Sequence, residues 1–336
     1  MSFKARWETN IFHNFFVVLI LFVVIEPGSC RLLSPSEDHD QINIDEQSLK
    51  DDFPSVNDTL LLGKLSEKMY SFRDGSETCE TITPSLGPDI ACHHYEQDEE
   101  GTAVLVVSHE KSQLASVIFR GTIDFKNIAT DADIVMRPFC IPGEASSDGS
   151  DSNKSSLNCD IDKKTSTEVH AGFYDTVFRD GLYGRILEKI VSIKTEHPDY
   201  RIITSGHSLG AAASVLTAVA LAKASFLSSD ERISSISFGC PQIGNKEWNT
   251  WVNSQRPNLS IWRYVNKHDV VTRLPGLNFW HVGHTLQMDV DKIRAYFLHY
   301  GDDENAGVPS GWSSKFSEFD SSSLFRLFDS MLIIFV

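Results

Sequence analysis

The chain has 336 residues, of which 41% are hydrophobic and 23% are charged, and its formal net charge at pH 7 is -16. This composition is typical of a globular protein and excludes a largely disordered chain. The strongly negative charge argues against nucleic acid and anionic membranes as partners, because both carry charge of the same sign. Neutral substrates, including an oil surface, remain compatible with it.

The first thirty residues have the layout of a secretory signal peptide. Lys4 and Arg6 precede an apolar run over residues 15–25, and small residues follow that run. An N-terminal membrane anchor is the alternative, but an apolar run of about eleven residues is too short to span a bilayer comfortably. We therefore predict a signal peptide over residues 1–30, a secreted protein, and no stable membrane span in its mature form.

The cysteines that follow residue 30 also fit an oxidising compartment. Cys79 and Cys92 flank one turn-rich polar loop and Cys140 and Cys159 flank another, which predicts two local disulfides. Cys240 lies in an apolar segment and is predicted to be a buried thiol. A metal site is the alternative, but no Cys-x-x-Cys or closely spaced Cys/His set supports it. Three Asn-x-Ser/Thr glycosylation sequons agree with secretion, at Asn57, Asn153 and Asn258.

Residues 31–58 are acidic, rich in serine and without apolar periodicity, which predicts a flexible arm or pro-segment. The main domain is predicted over residues 59–312. Its first half contains a helix, two strands and a serine-rich acidic insertion, at 60–72, 103–107, 114–119 and 143–164.

The second half of the domain alternates helices with strands. Apolar residues recur at helical spacing from 173 to 196, and a second, alanine-rich helix is predicted at 211–226. A short helix surrounds Trp248, and the predicted strands are at 200–204, 233–238, 261–265 and 280–288. This alternation predicts an α/β fold with a mainly parallel sheet. The C-terminal tail, residues 313–336, ends in an apolar stretch that fits a docking amphipathic helix or the removable tail of a lipid-anchor signal.

One serine lies between two glycines directly after a strand-like run. Gly206-His207-Ser208-Leu209-Gly210 is followed by small residues in a predicted helix. A strand, Gly-x-Ser-x-Gly and a helix together form the context of a nucleophile elbow, in which the helix N-terminus stabilises a developing oxyanion. Ser208 is therefore a candidate nucleophile rather than a small residue in a turn.

The elbow and four further segments resemble the class 3 lipases, the fungal triacylglycerol lipase family of the α/β-hydrolase fold. The resemblance covers about residues 100 to 300 in the family's order. Its motifs are Gly-His-Ser-Leu-Gly-Ala-Ala from Gly206, Phe-Arg-Gly-Thr from Phe119, Val-His-Ala-Gly-Phe from Val169, Gly-Cys-Pro-Gln-Ile-Gly from Gly239, and Val-Asn-Lys-His-Asp from Val265.

This resemblance implies roles for several side chains. Ser208 is the expected nucleophile and Asp269 the acid that orients the base, while Thr122 and the backbone N–H of Leu209 are the expected oxyanion donors. The chemistry agrees, because a serine hydroxyl needs a neutral imidazole to accept its proton, and a carboxylate then fixes the imidazole tautomer. The order Ser, Asp, His is the one expected on this fold.

Three histidines that follow Asp269 are candidates for the base. His299 precedes Tyr and Gly as the family's late histidine does, and it is the predicted base. His284 is the alternative base, but strand alternation places it with apolar neighbours and favours a core position; His281 is the third candidate. His207 adjoins the nucleophile, yet neighbouring side chains at an elbow diverge, so it is predicted to pack behind Ser208.

The sequence as a whole predicts a secreted serine carboxylic ester hydrolase that cleaves acylglycerols and needs no metal or cofactor. The same triad could serve a phospholipase or a feruloyl-type esterase, and a non-catalytic lipase-like lipid-binding protein is the alternative from another class. The family's helical lid corresponds to residues 123–134, but four charged side chains leave this segment only a thin apolar face. This composition argues against activation at an oil–water interface.

Overall fold

A computed structural model describes residues 54–73, 75–98, 101–121, 135–142, 167–224, 231–255, 258–266, 269–276, 278–289 and 294–298. Within these ranges the helices are α1 (Val56–Lys68), α2 (Cys79–Leu86), α3 (Ala171–Phe178), α4 (Leu182–Glu196), α5 (Leu209–Lys223) and α6 (Lys246–Asn253). The predicted signal peptide, lid segment, acidic insertion and C-terminal tail lie outside the described residues. No described helix is both long enough and apolar enough to cross a membrane.

Eight strands form the central sheet, in the spatial order β1 (Ile90–Gln97), β2 (Ala103–His109), β3 (Leu114–Phe119), β6 (Arg201–His207), β7 (Ile233–Phe238), β8 (Leu259–Asn266), β9 (His284–Asp289) and β10 (Arg294–Leu298). Strands β3, β6, β7, β8 and β9 are parallel to one another, whereas β1, β2 and β10 pair antiparallel at the two edges. The predicted α/β fold with a mainly parallel sheet is therefore confirmed. A separate two-stranded ribbon consists of β4 (Met136–Pro138) and β5 (Glu168–His170).

Helices cover both faces of the sheet at its central strand, β6. Neighbouring strand residues point to opposite faces. The Thr204 hydroxyl donates to the Ser214 carbonyl of α5 at 2.8 Å, whereas the Ser205 hydroxyl lies 3.3 Å from that of Ser66 in α1. A parallel strand that is buried on both faces is expected to be rich in apolar residues, and Ile202 and Ile203 meet this expectation in β6.

Helix α5 packs against the sheet along nearly its whole length. Its residues from Gly210 to Leu221 are all buried, and most of them are alanine, glycine or serine. Small side chains let a helix axis approach the sheet closely, so this helix can run directly behind the β6 strand end. The nucleophile elbow is thereby fixed by core packing rather than by a surface loop.

Several elements differ from the sequence prediction. The single helix expected over 173–196 is two helices, because Asp180 and Gly181 adopt left-handed backbone angles with φ of 54° and 73°. Strand β1 and helix α2 were not predicted. Helix α1 begins at Val56 within the predicted arm, where Asp58 is buried and forms an ion pair with Arg201 at 2.9 Å.

The cysteine predictions agree with the described residues. Cys79 and Cys92 form a disulfide that joins the start of α2 to β1. Cys140 is also disulfide-bonded, and Cys159, its predicted partner, lies outside the described residues. Cys240 is a fully buried thiol, as predicted. Disulfides of this kind persist in oxidising compartments.

Candidate active site

Ser208 occupies a sharp turn between β6 and α5. Its backbone angles are φ 59° and ψ -127°, which non-glycine residues rarely adopt and which mark stored strain at functional sites. This turn places the serine directly at the N-terminus of α5, where the first backbone N–H groups have no partner within the helix. The geometry is that of a nucleophile elbow.

The two glycines of the motif are required by close backbone contacts. A Cβ atom on Gly206 would clash with the carbonyl group of Gly210, and one on Gly210 would lie within 3 Å of the Phe119 and Arg120 backbone. The strand, the turn and the following helix therefore approach each other more closely than any side chain permits. This approach brings the end of β3 against the elbow.

The Ser208 hydroxyl is buried and makes no hydrogen bond to any described residue. The side chain is 2% exposed, and Oγ is among the buried polar atoms without a partner in these parts of the chain. A buried hydroxyl without a partner is costly, so such an atom in a native protein calls for an explanation. A hydroxyl that serves a base and a substrate is such an explanation, and the predicted base, His299, lies outside the described ranges.

Asp269 lies at the same edge of the sheet as Ser208. Its backbone N–H donates to the Asn266 carbonyl at the end of β8, and its Oδ1 accepts from the Val271 N–H at 2.9 Å. Its Oδ2 lies beside Gly239, the residue after β7, because a Cβ there would be 2.7 Å from this oxygen. The carboxyl ends of neighbouring parallel strands thus bring the predicted acid close to the elbow.

Gly121 connects β3 to the predicted oxyanion donor. A Cβ on Gly121 would be only 3.1 Å from the Ser208 Cβ, so this backbone lies directly against the nucleophile. The preceding residue, Arg120, is fully buried and donates to the carbonyl groups of Phe72 and Gly101. These bonds anchor the strand end. Thr122, the next residue, lies outside the described ranges.

His207 packs behind the nucleophile. Its Nδ1 lies 2.8 Å from the Tyr70 hydroxyl, and burial lowers the pKa of the imidazole to about 4. An imidazole with this pKa is neutral at neutral pH, but its Nδ1 is already engaged by a tyrosine. Sequence reasoning placed His207 behind the serine but missed Tyr70, since no local pattern marks a partner 137 residues away.

Two of the three candidate bases are placed by the structure. His284 is 0% exposed, its ring lies 4.7 Å from that of Trp262, and it begins β9, three strands away from β6. Adjacent strands are about 4.8 Å apart, so His284 is too distant to accept the Ser208 proton. His284 therefore occupies the core position that strand alternation predicts. His281 Nε2 donates to the Thr272 carbonyl at 2.7 Å, and His299 lies outside the described residues.

Among the described residues around the elbow, Asp269 supplies a carboxylate and burial lowers the pKa of the neighbouring His207. Desolvation lowers the pKa of His170 as well, and this ring stacks on Phe173 at 4.3 Å beside the small ribbon. Within the described ranges, no group of three or more His, Cys, Asp or Glu residues is positioned to hold a metal ion. The arrangement provides a hydroxyl, a carboxylate and backbone donors, the parts that acyl transfer requires.

Comparison with known proteins agrees with this chemistry. Residues 116–279 match the family model described as "Lipase (class 3)". Over 165 residues the chain is 34% identical to phospholipase A1-IIdelta of Arabidopsis thaliana, a match that covers 46% of this chain and 39% of that protein. Over 177 residues it is 29% identical to a lipase of Rhizopus niveus, covering 52% and 38% respectively. The chain thus spans less than two thirds of these relatives.

Solved structures share the fold. The structure of the Rhizomucor miehei triacylglyceride lipase superposes with a TM-score of 0.56 at 20% identity, and the match covers 80% of this chain and 92% of that one. At this identity the likeness establishes the architecture alone. The fold is therefore the α/β-hydrolase fold that the sequence motifs imply.

Proposed function

Because the chain belongs to the class 3 lipase family, we propose that it is a serine carboxylic ester hydrolase that cleaves acylglycerols through Ser208, Asp269 and His299. The observation that carries this proposal is the strained, buried serine at the N-terminus of α5, with Asp269 at the same sheet edge. A purely structural serine has no need of positive φ or of a buried hydroxyl that lacks a partner among the described residues.

In the proposed reaction, His299 takes the proton of Ser208 Oγ as this oxygen bonds to the ester carbonyl carbon. The tetrahedral oxyanion accepts hydrogen bonds from the Leu209 backbone N–H and from Thr122, and Asp269 stabilises the imidazolium. The ester C–O bond then breaks, and the alcohol leaves with the proton from His299. Water then attacks the acyl carbonyl carbon while His299 takes its proton, and the same donors hold the second oxyanion; the bond to Ser208 Oγ breaks as His299 returns the proton to this oxygen, and the fatty acid leaves.

Hydrolysis of p-nitrophenyl butyrate by the mature chain tests the proposal. Ser208→Ala should lower kcat by about 10⁴-fold or more while the protein stays folded. Ser214→Ala is a matched control, since it removes a buried serine hydroxyl of α5 that bonds to the Ala211 carbonyl and lies 3.4 Å from the Ser235 hydroxyl. Turnover in Ser208→Ala comparable to that of the control would overturn the assignment.

The base is tested separately with histidine variants. His299→Ala should lose activity to a similar extent as Ser208→Ala, because the hydroxyl then has no proton acceptor. His284→Ala should reduce stability instead, because it leaves a cavity beside Trp262 in the core. Circular dichroism and thermal unfolding of both variants distinguish the two effects. A folded His299→Ala enzyme with wild-type turnover would require another base.

A phospholipid substrate is the second candidate, favoured by the 34% identity to phospholipase A1-IIdelta. Rates on triacylglycerol emulsions and on phosphatidylcholine vesicles would distinguish the two substrate classes. A net charge of -16 predicts that anionic vesicles are hydrolysed more slowly than zwitterionic ones, because the surface repels them. A preference for anionic vesicles would contradict the role given to this charge.

We further propose that the protein is secreted, with a signal peptide over 1–30, an acidic arm over 31–58, a hydrolase domain over 59–312 and a tail over 313–336. The disulfides at Cys79 and Cys140 support an oxidising compartment, and Asn57 of one sequon is exposed on α1. Mass spectrometry of the protein recovered from medium would test this: a chain beginning near residue 31 is expected, and an intact N-terminus would contradict it.

A further inference from the structure

The Tyr70 hydroxyl connects the two chain segments that flank the nucleophile. Tyr70 lies in the 3-10 turn Met69–Ser71 that follows α1. Its oxygen is 2.8 Å from His207 Nδ1, and the backbone N–H of Gly121 also hydrogen-bonds to it. One hydroxyl therefore contacts both the end of β3 and the residue that precedes Ser208.

Both members of this pair are neutral side chains. Burial raises the pKa of Tyr70 to about 12 and lowers the pKa of His207 to about 4, so both groups are neutral at the pH of ester hydrolysis. The Tyr70 oxygen accepts from the Gly121 N–H, and a single proton, carried by the tyrosine oxygen or by Nδ1 according to the imidazole tautomer, joins it to His207. The hydroxyl is thus satisfied on both sides in a half-buried setting.

The Gly121 backbone lies closely against this hydroxyl and against the elbow. A Cβ on Gly121 would clash with the Tyr70 hydroxyl and with the His207 carbonyl, and it would lie 3.1 Å from the Ser208 Cβ. The tyrosine and histidine rings also pack edge to face, with centroids 5.7 Å apart. The tyrosine, the strand end and the elbow form one contiguous contact.

We propose that Tyr70 is a positioning residue that holds the end of β3 at a fixed distance from the elbow. This inference rests on the proposed function, because each of these two segments adjoins one proposed oxyanion donor. The Leu209 N–H follows the elbow serine, and Thr122 follows Gly121 in the chain. Tyr70 touches neither substrate nor the reacting atoms, and it acts through the spacing of these donors.

The spacing matters because an oxyanion hole works by preorganisation. Donors must already lie at hydrogen-bond distance from the position that the oxyanion will occupy, and a misplacement of about 1 Å costs on the order of 10²-fold in rate. Removing the hydroxyl leaves the Gly121 N–H and His207 Nδ1 without this buried bridge, so the strand end can shift. The loss should affect the tetrahedral state more than substrate binding.

Tyr70→Phe is the direct test, since it keeps the ring and removes only the hydroxyl. With p-nitrophenyl butyrate we expect kcat to fall by about 10- to 100-fold and KM to stay within about twofold. Inactivation by a p-nitrophenyl alkylphosphonate should slow by a similar factor, because its P=O oxygen takes the position of the oxyanion. If Tyr70 only supported the fold, the variant would lose stability but keep the wild-type kcat and the wild-type rate of phosphonylation.

Tyr264→Phe is the matched control. Its hydroxyl is also buried and lies 3.2 Å from Thr59 Oγ1, so it links α1 to the sheet without contacting Gly121 or His207. We expect a comparable loss of stability and a kcat within about twofold of wild type. An equal kcat loss in both variants would show general loosening of α1 and overturn the proposal.

A Tyr70→Phe enzyme with wild-type kcat and phosphonylation rate would also overturn it. If this variant does not fold, His207→Leu breaks the same bridge from the other side and should show the same loss in kcat. Where Tyr70→Phe folds, the double variant Tyr70→Phe/His207→Leu should lose no more kcat than either single variant, because both substitutions remove the same interaction. Losses in kcat that multiply in the double variant would contradict the proposal. An inactive wild-type protein would overturn the proposed function itself, and this inference with it.

Discussion

Acid should destabilise the folded protein through His207, a half-buried histidine that packs behind the nucleophile. Burial lowers its pKa from 6.5 to about 4, so between these values the unfolded chain binds a proton that the folded chain excludes. Its contribution to stability is fully present above pH 6.5 and is lost as the pH falls toward 4. One pKa unit corresponds to about 1.4 kcal/mol, so lowering the pH from 7 to 5 should remove about 2 kcal/mol.

The assay is urea unfolding of the mature chain at pH 7 and pH 5, compared with His207→Asn. Burial also lowers the pKa of His93 and His170, so wild-type stability should fall with acid for more than one reason. The asparagine variant lacks only the His207 titration, and its loss between these two pH values should be smaller by about 2 kcal/mol. An equal pH dependence in both proteins would refute the reasoning.

Further predictions concern the elbow and the disulfide. Gly210→Ala should cost about 2 to 3 kcal/mol of unfolding free energy, because its Cβ would meet the Phe119 and Arg120 backbone, whereas Gly184→Ala in α4 has open space and should gain about 0.5 to 1 kcal/mol. Equal changes in Tm for the two alanine variants would contradict this prediction. Replacing Cys79 and Cys92 by serine should lower the free energy of unfolding by about 3 kcal/mol, as expected for a closed loop of this length. In this variant a reducing agent has no Cys79–Cys92 bond to break, so it should lower the Tm by less than it does in the wild type.

The parts of the fold that the sequence predicts well are those with a local signal. The elbow combines an apolar run, two glycines and a helix of small residues within about twenty positions. Strands β3, β6, β7 and β8 are buried along most of their length, and each carries several β-branched, aromatic or other apolar residues that mark it as a strand. Asp269 was identified by its motif and by its place after β8.

Other features depend on contacts that no local pattern records. Strand β1 is mostly half-buried and contains polar residues such as His94 and Glu96, so its sequence lacks clear alternation. The break between α3 and α4 depends on a left-handed Asp180, which the apolar spacing does not reveal. Tyr70 reaches the elbow only through tertiary packing. The base remains a sequence prediction, because His299 is not among the described residues.

Covalent labelling of the intact chain with a fluorophosphonate, followed by peptide mass mapping, tests most directly whether Ser208 is the nucleophile. Phosphonylation requires an activated serine, a working base and an oxyanion site together. We predict stoichiometric labelling of the peptide that contains Ser208, and none in Ser208→Ala. A folded wild-type protein that stays unlabelled, or that carries the label on another residue, would contradict the assignment of Ser208 as the nucleophile.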